Sequence, residues 1–262
     1  MNTPKPISIQ LYTLREQVKE QGFPQILEKV ATFGYTAVEF AGFGGHSAEE
    51  AAGFLKEFGL KASSIHGGLP TEDNLEEALA NAERFGYQTH IGGFGREHFQ
   101  EPAKLDEVVG WVQKAVALLE GKGLRVGLHN HEFEFDKLWD GKLPHERLRD
   151  EVPGVFFQLD TYWVETGMKL LGPEAGRTLL TILEAFGERV KNPHIKDGPC
   201  VRGEPMTAVG KGSMDWKAVF AAMPETVEWL VVELDHCATD MLEAVEESYK
   251  FLTGEGYATG NR

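Results

Sequence analysis

The chain has 262 residues, 42% of them hydrophobic and 26% charged, which is enough to bury the core of one large domain or two small ones. The formal net charge of −15 argues against a nucleic-acid backbone as main partner, because phosphate neutralisation needs clustered lysine and arginine, though it leaves room for a local basic pocket. No apolar run approaches the roughly 20 residues that span a bilayer, the stretch Met1-Asn2-Thr3-Pro4-Lys5-Pro6 lacks the apolar region of a signal peptide, and the only cysteines are Cys200 and Cys237. These features predict a cytoplasmic protein with buried thiols, no disulfide framework and no membrane partner.

Strand candidates begin at Ile7 to Leu11 and continue with Ala37 to Ala41, Ala62 to His66, Thr89 to Gly92, Arg125 to His131, Phe156 to Asp160, Pro193 to Lys196 and Leu230 to Asp235. Helical spacing separates them. Ile26, Leu27, Val30 and Phe33 mark the first helix, and Ser47-x-x-Glu50 opens the second as a capping box. Leu75, Ala78, Leu79, Ala82 and Phe85 give a third, with later ones at Leu105 to Leu119, Pro144 to Leu148, Leu179 to Phe186, Trp216 to Met223 and Met241 to Leu252. Phe33-Gly34, Phe58-Gly59, Phe85-Gly86 and Phe186-Gly187 each read as an apolar last turn meeting a left-handed glycine cap. Strands alternating with helices imply an α/β fold with a parallel sheet. Eight such units in about 250 residues predict a single-domain (β/α)8 TIM barrel over residues 1–262. An open doubly wound sheet is the alternative, but Ile9-Gln10-Leu11-Tyr12-Thr13-Leu14 lacks its glycine-rich fingerprint.

In such a barrel the chemistry sits where strands end. Those ends carry Gln10 and Tyr12, Glu39, His66, His90, His129 with His131, Asp160, His194 with Lys196, and Glu233 with Asp235. The last four strands each present a metal-competent side chain, and neighbouring strands about 4.8 Å apart allow four of these to meet one ion. A nitrogen and oxygen set of this kind suits one divalent Mn, Co, Zn or Fe ion better than calcium. At the fifth strand, His129 and His131 share a face opposite Val126 and Leu128, so spacing leaves open which is the ligand.

The ordered segments Gly127-Leu128-His129-Asn130-His131-Glu132-Phe133-Glu134-Phe135, Gln158-Leu159-Asp160-Thr161-Tyr162-Trp163-Val164, His194-Ile195-Lys196-Asp197, Val209-Gly210-Lys211-Gly212-Ser213-Met214-Asp215-Trp216 and Val232-Glu233-Leu234-Asp235 resemble the sugar phosphate isomerase/epimerase family, which has the xylose-isomerase-like barrel. The resemblance covers most of the chain and is strongest from Arg125 onward. It implies a divalent metal held by His129, Asp160, His194 and Glu233. One position departs from the family: its epimerases carry glutamate at the fifth strand, where this chain has His129. A branch with inosose-dehydratase-like and ketoglycoside-processing members resembles the histidine-rich version.

The activity implied is isomerisation or epimerisation of a small sugar or sugar derivative by proton abstraction next to a metal-chelated carbonyl. Glu233 is then the base, His131 the group that returns the proton, and Lys196 an oxyanion stabiliser. The close alternative is a lyase or dehydratase acting on a keto-inositol or 3-keto-glycoside, and the remaining one a non-catalytic sugar-binding barrel. An endonuclease relative of the same barrel is disfavoured, because Trp163 stands where that family resembles Asp-x-x-His and the chain is acidic. Glu39 and His66 are candidate hydrogen-bond partners of a polyhydroxylated ligand, or a polar plug in the barrel. Trp163, Tyr162 and Phe94 are candidate sugar-stacking rings or core residues. Gly210-Lys211-Gly212 is a weak anion-cradle candidate. Phe40, Phe43 and Phe94 either close the mouth or meet a partner subunit of a homo-oligomer. His46, His98 and His145 are expected to face solvent.

Overall fold

The structure, a computed structural model, describes residues 3–262, so Met1 and Asn2 of the N-terminal segment lie outside the described residues. Eight parallel strands form the barrel: β1 (Lys5–Gln10), β2 (Ala37–Phe40), β3 (Lys61–His66), β4 (Thr89–Gly92), β5 (Arg125–His129), β6 (Phe156–Gln158), β7 (His194–Ile195) and β8 (Leu230–Val232). They pair in the order β6-β5-β4-β3-β2-β1-β8-β7. The ring closes between β6 and β7 through the isolated parallel bridges Phe157–Val190 and Asp160–His194. A short β9 (Ala258–Thr259) adds to β1 outside the ring.

Around this ring run α1 (Arg15–Gln21), α2 (Phe23–Phe33), α3 (Ala48–Phe58), α4 (Leu75–Phe85), α5 (Pro102–Leu119), α6 (Pro144–Glu151), α7 (Thr161–Leu171), α8 (Leu179–Phe186), α9 (Trp216–Ala222) and α10 (Met241–Gly254). Most bury an apolar stripe, whereas α1 buries no side chain. Ile26, Leu27 and Val30 of α2 are fully buried, as are Leu105, Val108 and Val112 of α5. The Ser47 capping box forms as the sequence predicts. Gly34, Gly59 and Gly86 adopt the left-handed cap. Gly187 does not; it turns into a 3-10 segment instead.

Strands β5 to β8 end one to three residues earlier than the sequence runs suggest. The sequence reading also omits α1 and α7. Helix α7 follows β6 without a linker, since Asp160 is both the end of the β6 run and the N-cap, its Oδ1 accepting from the Trp163 backbone at 2.9 Å.

The barrel interior is polar in its middle layers. The register sets Gln10 beside Glu39, and Glu39 beside Ser64. Between β2 and β3 the register slips at Val38/Glu39, which skips Ser63 and brings Glu39 opposite Ser64. No helix among the described residues is long and apolar enough to cross a membrane.

Candidate metal centre

His129, Asp160, His194 and Glu233 converge at the C-terminal end of the barrel. One ligand atom from each lies within 4.8 Å of the others, and all four residues are buried. Backbone pairing sets their level: His194 donates its amide to Leu159 O at 2.9 Å and Glu233 to Ile195 O at 3.3 Å, while His129 is the last residue of β5.

The donor atoms are suited to a cation. His129 Nδ1, Asp160 Oδ2, His194 Nδ1 and Glu233 Oε2 are all buried without a hydrogen-bond partner. Lys196 Nζ offsets the charge of the two carboxylates at 2.9 and 2.7 Å, and one ligand atom from each of the four side chains, grouped this closely, fits a bound divalent ion. Two imidazoles and two carboxylates match the preferences of zinc, manganese, cobalt or iron. Burial, and the nearby rings of His194 and His66, hold the His129 imidazole well below its ordinary pKa, so its ring is neutral and able to ligate.

Lys196 enters the same cluster from below Trp163. Its ammonium is fully buried, 2.9 Å from Asp160 Oδ2, 2.7 Å from Glu233 Oε2 and 2.8 Å from Asp235 Oδ2. Only the contact to Asp235 has hydrogen-bond alignment, so Asp235 anchors the lysine and leaves the other two carboxylates for the ion. Burial opposes ionisation of Glu233, but Lys196 and His194 outweigh it and hold the carboxyl well below the usual range. At neutral pH Glu233 is therefore a carboxylate.

His131 lies one step toward the mouth. Its ring is 5.0 Å from that of His129, stacks on Phe133 at 5.2 Å and sits 6.2 Å from Trp163. Burial, and then the Lys196 charge, lower its pKa, leaving a neutral imidazole. Trp163 is 9% exposed, its ring 5.6 Å from the lysine ammonium and its Nε1 without a partner. His66 stands on the other side, 5.0 Å from the His129 ring, with a quarter of its side chain exposed.

Glu39 departs from the expectation of a ligand-facing residue. It is 0% exposed, and both its oxygens are occupied by side chains of the barrel interior. His194 Nε2 lies 2.9 Å from Oε1, Gln10 Nε2 donates to Oε1 at 2.6 Å, and Ser64 Oγ and Gln158 Nε2 donate to Oε2 at 2.5 Å each. Glu39 is thus closed off from the barrel mouth.

Three further expectations change in the same way. The Gly210-Lys211-Gly212 turn cradles an internal anion: Gly210 N and Trp216 Nε1 donate to Asp197 Oδ2, and Gly198 N and Met214 N to Oδ1. Phe40 is a core residue packed on Phe43 and Phe85, while Tyr162, fully buried, takes the core alternative of its two readings. His145 does not face solvent; it is 1% exposed among Phe135, Phe157 and Phe186, and His46 and His98 are each partly buried against aromatic rings.

Sequence reasoning missed Ser64 and Gln158. Each lies two residues before a named strand-end residue, His66 and Asp160, and so on the same inward face, which is the signal that finds them. It also missed Arg96 and Arg202, which reach from the loops after β4 and β7 to a single oxygen of Glu132, the latter at 3.1 Å.

The family model described as xylose isomerase-like TIM barrel matches residues 27–254. Among solved structures the chain is similar to a sugar phosphate isomerase/epimerase from Parabacteroides distasonis ATCC 8503, at 20% identity and TM-score 0.75, covering 98% of this chain and 96% of that one. An L-ribulose 3-epimerase aligns at 14% identity and TM-score 0.70, over 97% and 94% of the two chains. IolI, solved with a bound zinc atom, aligns at 14% identity and TM-score 0.67, over 96% and 98%. No curated protein matches the sequence. With the model matching well over half of the chain, the chain belongs to the xylose isomerase-like TIM barrel family.

Proposed function

We propose that this protein is a divalent-metal-dependent isomerase or epimerase of a small sugar or sugar derivative. The observation that carries the reading is the convergence of one ligand atom each from His129, Asp160, His194 and Glu233 on one buried point. The epimerase and the zinc-binding IolI among the structural neighbours support it as company on the same fold.

In this reading the four side chains hold one ion, which supplies Lewis acidity toward a substrate carbonyl and its adjacent hydroxyl. The Glu233 carboxylate removes the proton alpha to the carbonyl. Lys196, tethered by Asp235, places a fixed positive charge beside the oxygen on which negative charge develops. Glu233 keeps the proton it removes and later releases it to solvent, while His131, held by its stacking on Phe133, takes up a proton from solvent and delivers it as an imidazolium to the enediolate carbon. Trp163 and His66 border the space left for the sugar, the first as a stacking surface and the second as a hydrogen-bond partner.

One observation favours a second outcome from the same enolate. With an imidazole at the end of β5, the only carboxylate among the four ligands besides Glu233 is Asp160, and its Oδ1 is committed to capping α7. Two opposed carboxylate bases are therefore not available, and protonation of a β-leaving group by His131, as a lyase or dehydratase requires, uses the same residues.

The test is elemental analysis of protein purified without chelator, joined to a chelator-sensitive turnover screen over ketoses, inososes and 3-keto-glycosides that records product mass. About one ion per chain with chelator-sensitive turnover is expected. An unchanged product mass assigns isomerisation and a loss of water assigns dehydration. Ligand binding without turnover or metal dependence would leave a sugar-binding barrel.

A further inference from the structure

Glu39 is a buried carboxylate for which the reaction above has no direct use. Keeping an ion out of water is costly, and a buried charge is a poor source of stability compared with apolar packing. Yet the barrel invests four donors from four different strands in it. Gln10 comes from β1, Ser64 from β3, Gln158 from β6 and His194 from β7. An ionised carboxylate offers about four lone-pair sites, so this one is saturated. The slip in register between β2 and β3 is what sets Glu39 opposite Ser64, so the backbone itself is bent to make the arrangement.

Among the four donors His194 is the one that belongs to the metal cluster, while the His66 ring adds a longer contact, its Nδ1 3.8 Å from Glu39 Oε1. His194 Nε2 is turned to Glu39 Oε1 at 2.9 Å, while Nδ1, at the other side of the ring, faces Glu233 Oε2 at 2.6 Å and Asp160 Oδ2 at 3.9 Å. A carboxylate that only accepts requires a proton on Nε2, and in the neutral ring that leaves the lone pair on Nδ1. Hydrogen bonding of the remote ring nitrogen of a metal-bound histidine sets its tautomer and orientation and raises its basicity.

We propose that Glu39 is a positioning residue of the metal site, fixing through the hydrogen bond to His194 Nε2 the tautomer and ring angle that present Nδ1 to the ion. Gln10, Ser64 and Gln158 serve to hold Glu39 in that place. The proposal rests on the metal-dependent reading above and adds to it a residue that touches neither ion nor substrate.

The experiment is a Co2+ titration of the full chain, followed by the visible absorption of the bound ion, for wild type, Glu39→Gln and Glu39→Asp, with circular dichroism to confirm folding. Glu39→Gln is expected to bind Co2+ about 10–100-fold more weakly and to shift the absorption bands, because the ligand field at His194 changes; a residue that merely plugs the barrel would not move the spectrum. Glu39→Asp, which keeps the charge, should recover part of the affinity. A folded Glu39→Gln with wild-type affinity and spectrum overturns the proposal and leaves the metal-dependent reading standing. Failure of the wild type to take up any Co2+ instead defeats that reading, and this proposal with it. Nitrogen-15 NMR of the Zn2+-loaded wild type tests the same point without a variant: protonated Nε2 and metal-bound Nδ1 in the His194 ring are expected, and the reverse overturns the proposal even where Glu39→Gln does not fold.

Discussion

Lys196 Nζ donates to Asp235 Oδ2 at 2.8 Å while also lying 2.7 Å from Glu233 Oε2, so one buried ammonium is anchored by one carboxylate and shared with another that faces the cluster. The lysine therefore neutralises the site before any ion enters it. Burial disfavours its charge, but Asp160, Asp235 and Glu233 outweigh that and raise its pKa well above the ordinary value.

Lys196→Met removes the countercharge of two buried carboxylates. Without metal the variant should lose about 3–5 kcal/mol of stability, the usual result of leaving one partner of a buried pair uncompensated. A bound divalent ion replaces part of that charge, so the loss in melting temperature should shrink when Mn2+ or Zn2+ is added, while turnover stays about 10²–10³-fold down for want of the oxyanion donor. Thermal melts with and without ion decide it; an identical deficit in both would show that Lys196 and the ion do not share carboxylates.

The barrel was legible in the sequence because strand and helix alternate through eight units in about 250 residues and the first strand lacks the glycine-rich fingerprint of an open sheet. The four convergent residues were legible because the ends of the last four strand runs carry metal-competent side chains, from which the family resemblance picks out His129, Asp160, His194 and Glu233. Glu39 was misplaced at the mouth for a physical reason: a strand-end position in a barrel says that a side chain points inward, but not at which depth, and depth is set by register, which a bulge between Val38 and Glu39 alters. The glycine turn at Gly210 was read as an anion cradle, correctly in its chemistry, but the anion is Asp197 of the same chain, a pairing across the loop that spacing cannot supply. His145 looked like a solvent-facing residue at a helix start; the aromatic cage around it is assembled from β6, α8 and the loop after β5.

Asp197 carries the second prediction. Its two oxygens accept from Gly198, Gly210, Met214 and the Trp216 indole, which ties the long β7–α9 connection to the end of β7 beside His194 and Lys196. Asp197→Asn would turn an amide NH2 toward donors. A loss of about 2–4 kcal/mol is expected, together with faster proteolysis within residues 198–215, measured by denaturant melts and limited digestion. Unchanged digestion of that segment would show that the loop is held by its apolar contacts instead.

His145 should set part of the acid sensitivity. Burial alone lowers its pKa to about 3, and neither ring nitrogen has a hydrogen-bond partner. The folded state thus keeps the ring neutral where the unfolded chain, with an ordinary value near 6.5, takes up a proton. Between those values the unfolded state binds more protons, so stability falls as pH drops through about 6.5 and goes on falling toward 3. At pH 5 the loss relative to pH 7.5 comes to about 2 kcal/mol from this residue. His145→Leu should remove that increment, giving a flatter dependence of unfolding free energy on pH over the same interval; parallel curves for variant and wild type would refute it.

The last prediction separates the ligands from the proton carrier. Asp160→Asn keeps the helix cap, because asparagine caps as well as aspartate, but replaces the charged Oδ2, so metal should be lost while the fold and α7 remain. Glu233→Gln should lose metal and turnover together, since the same carboxylate serves as ligand and base. His131→Ala removes a ring that stacks on Phe133 and is not among the four convergent side chains. It should retain metal near one ion per chain while turnover falls about 10²–10⁴-fold, the range for a general acid or base. Elemental analysis of each purified variant, paired with its turnover, tests the assignment. Metal lost on His131→Ala and kept on His129→Ala would mean that these two histidines have exchanged roles, and full metal retention in both carboxylate variants would remove the site from this end of the barrel.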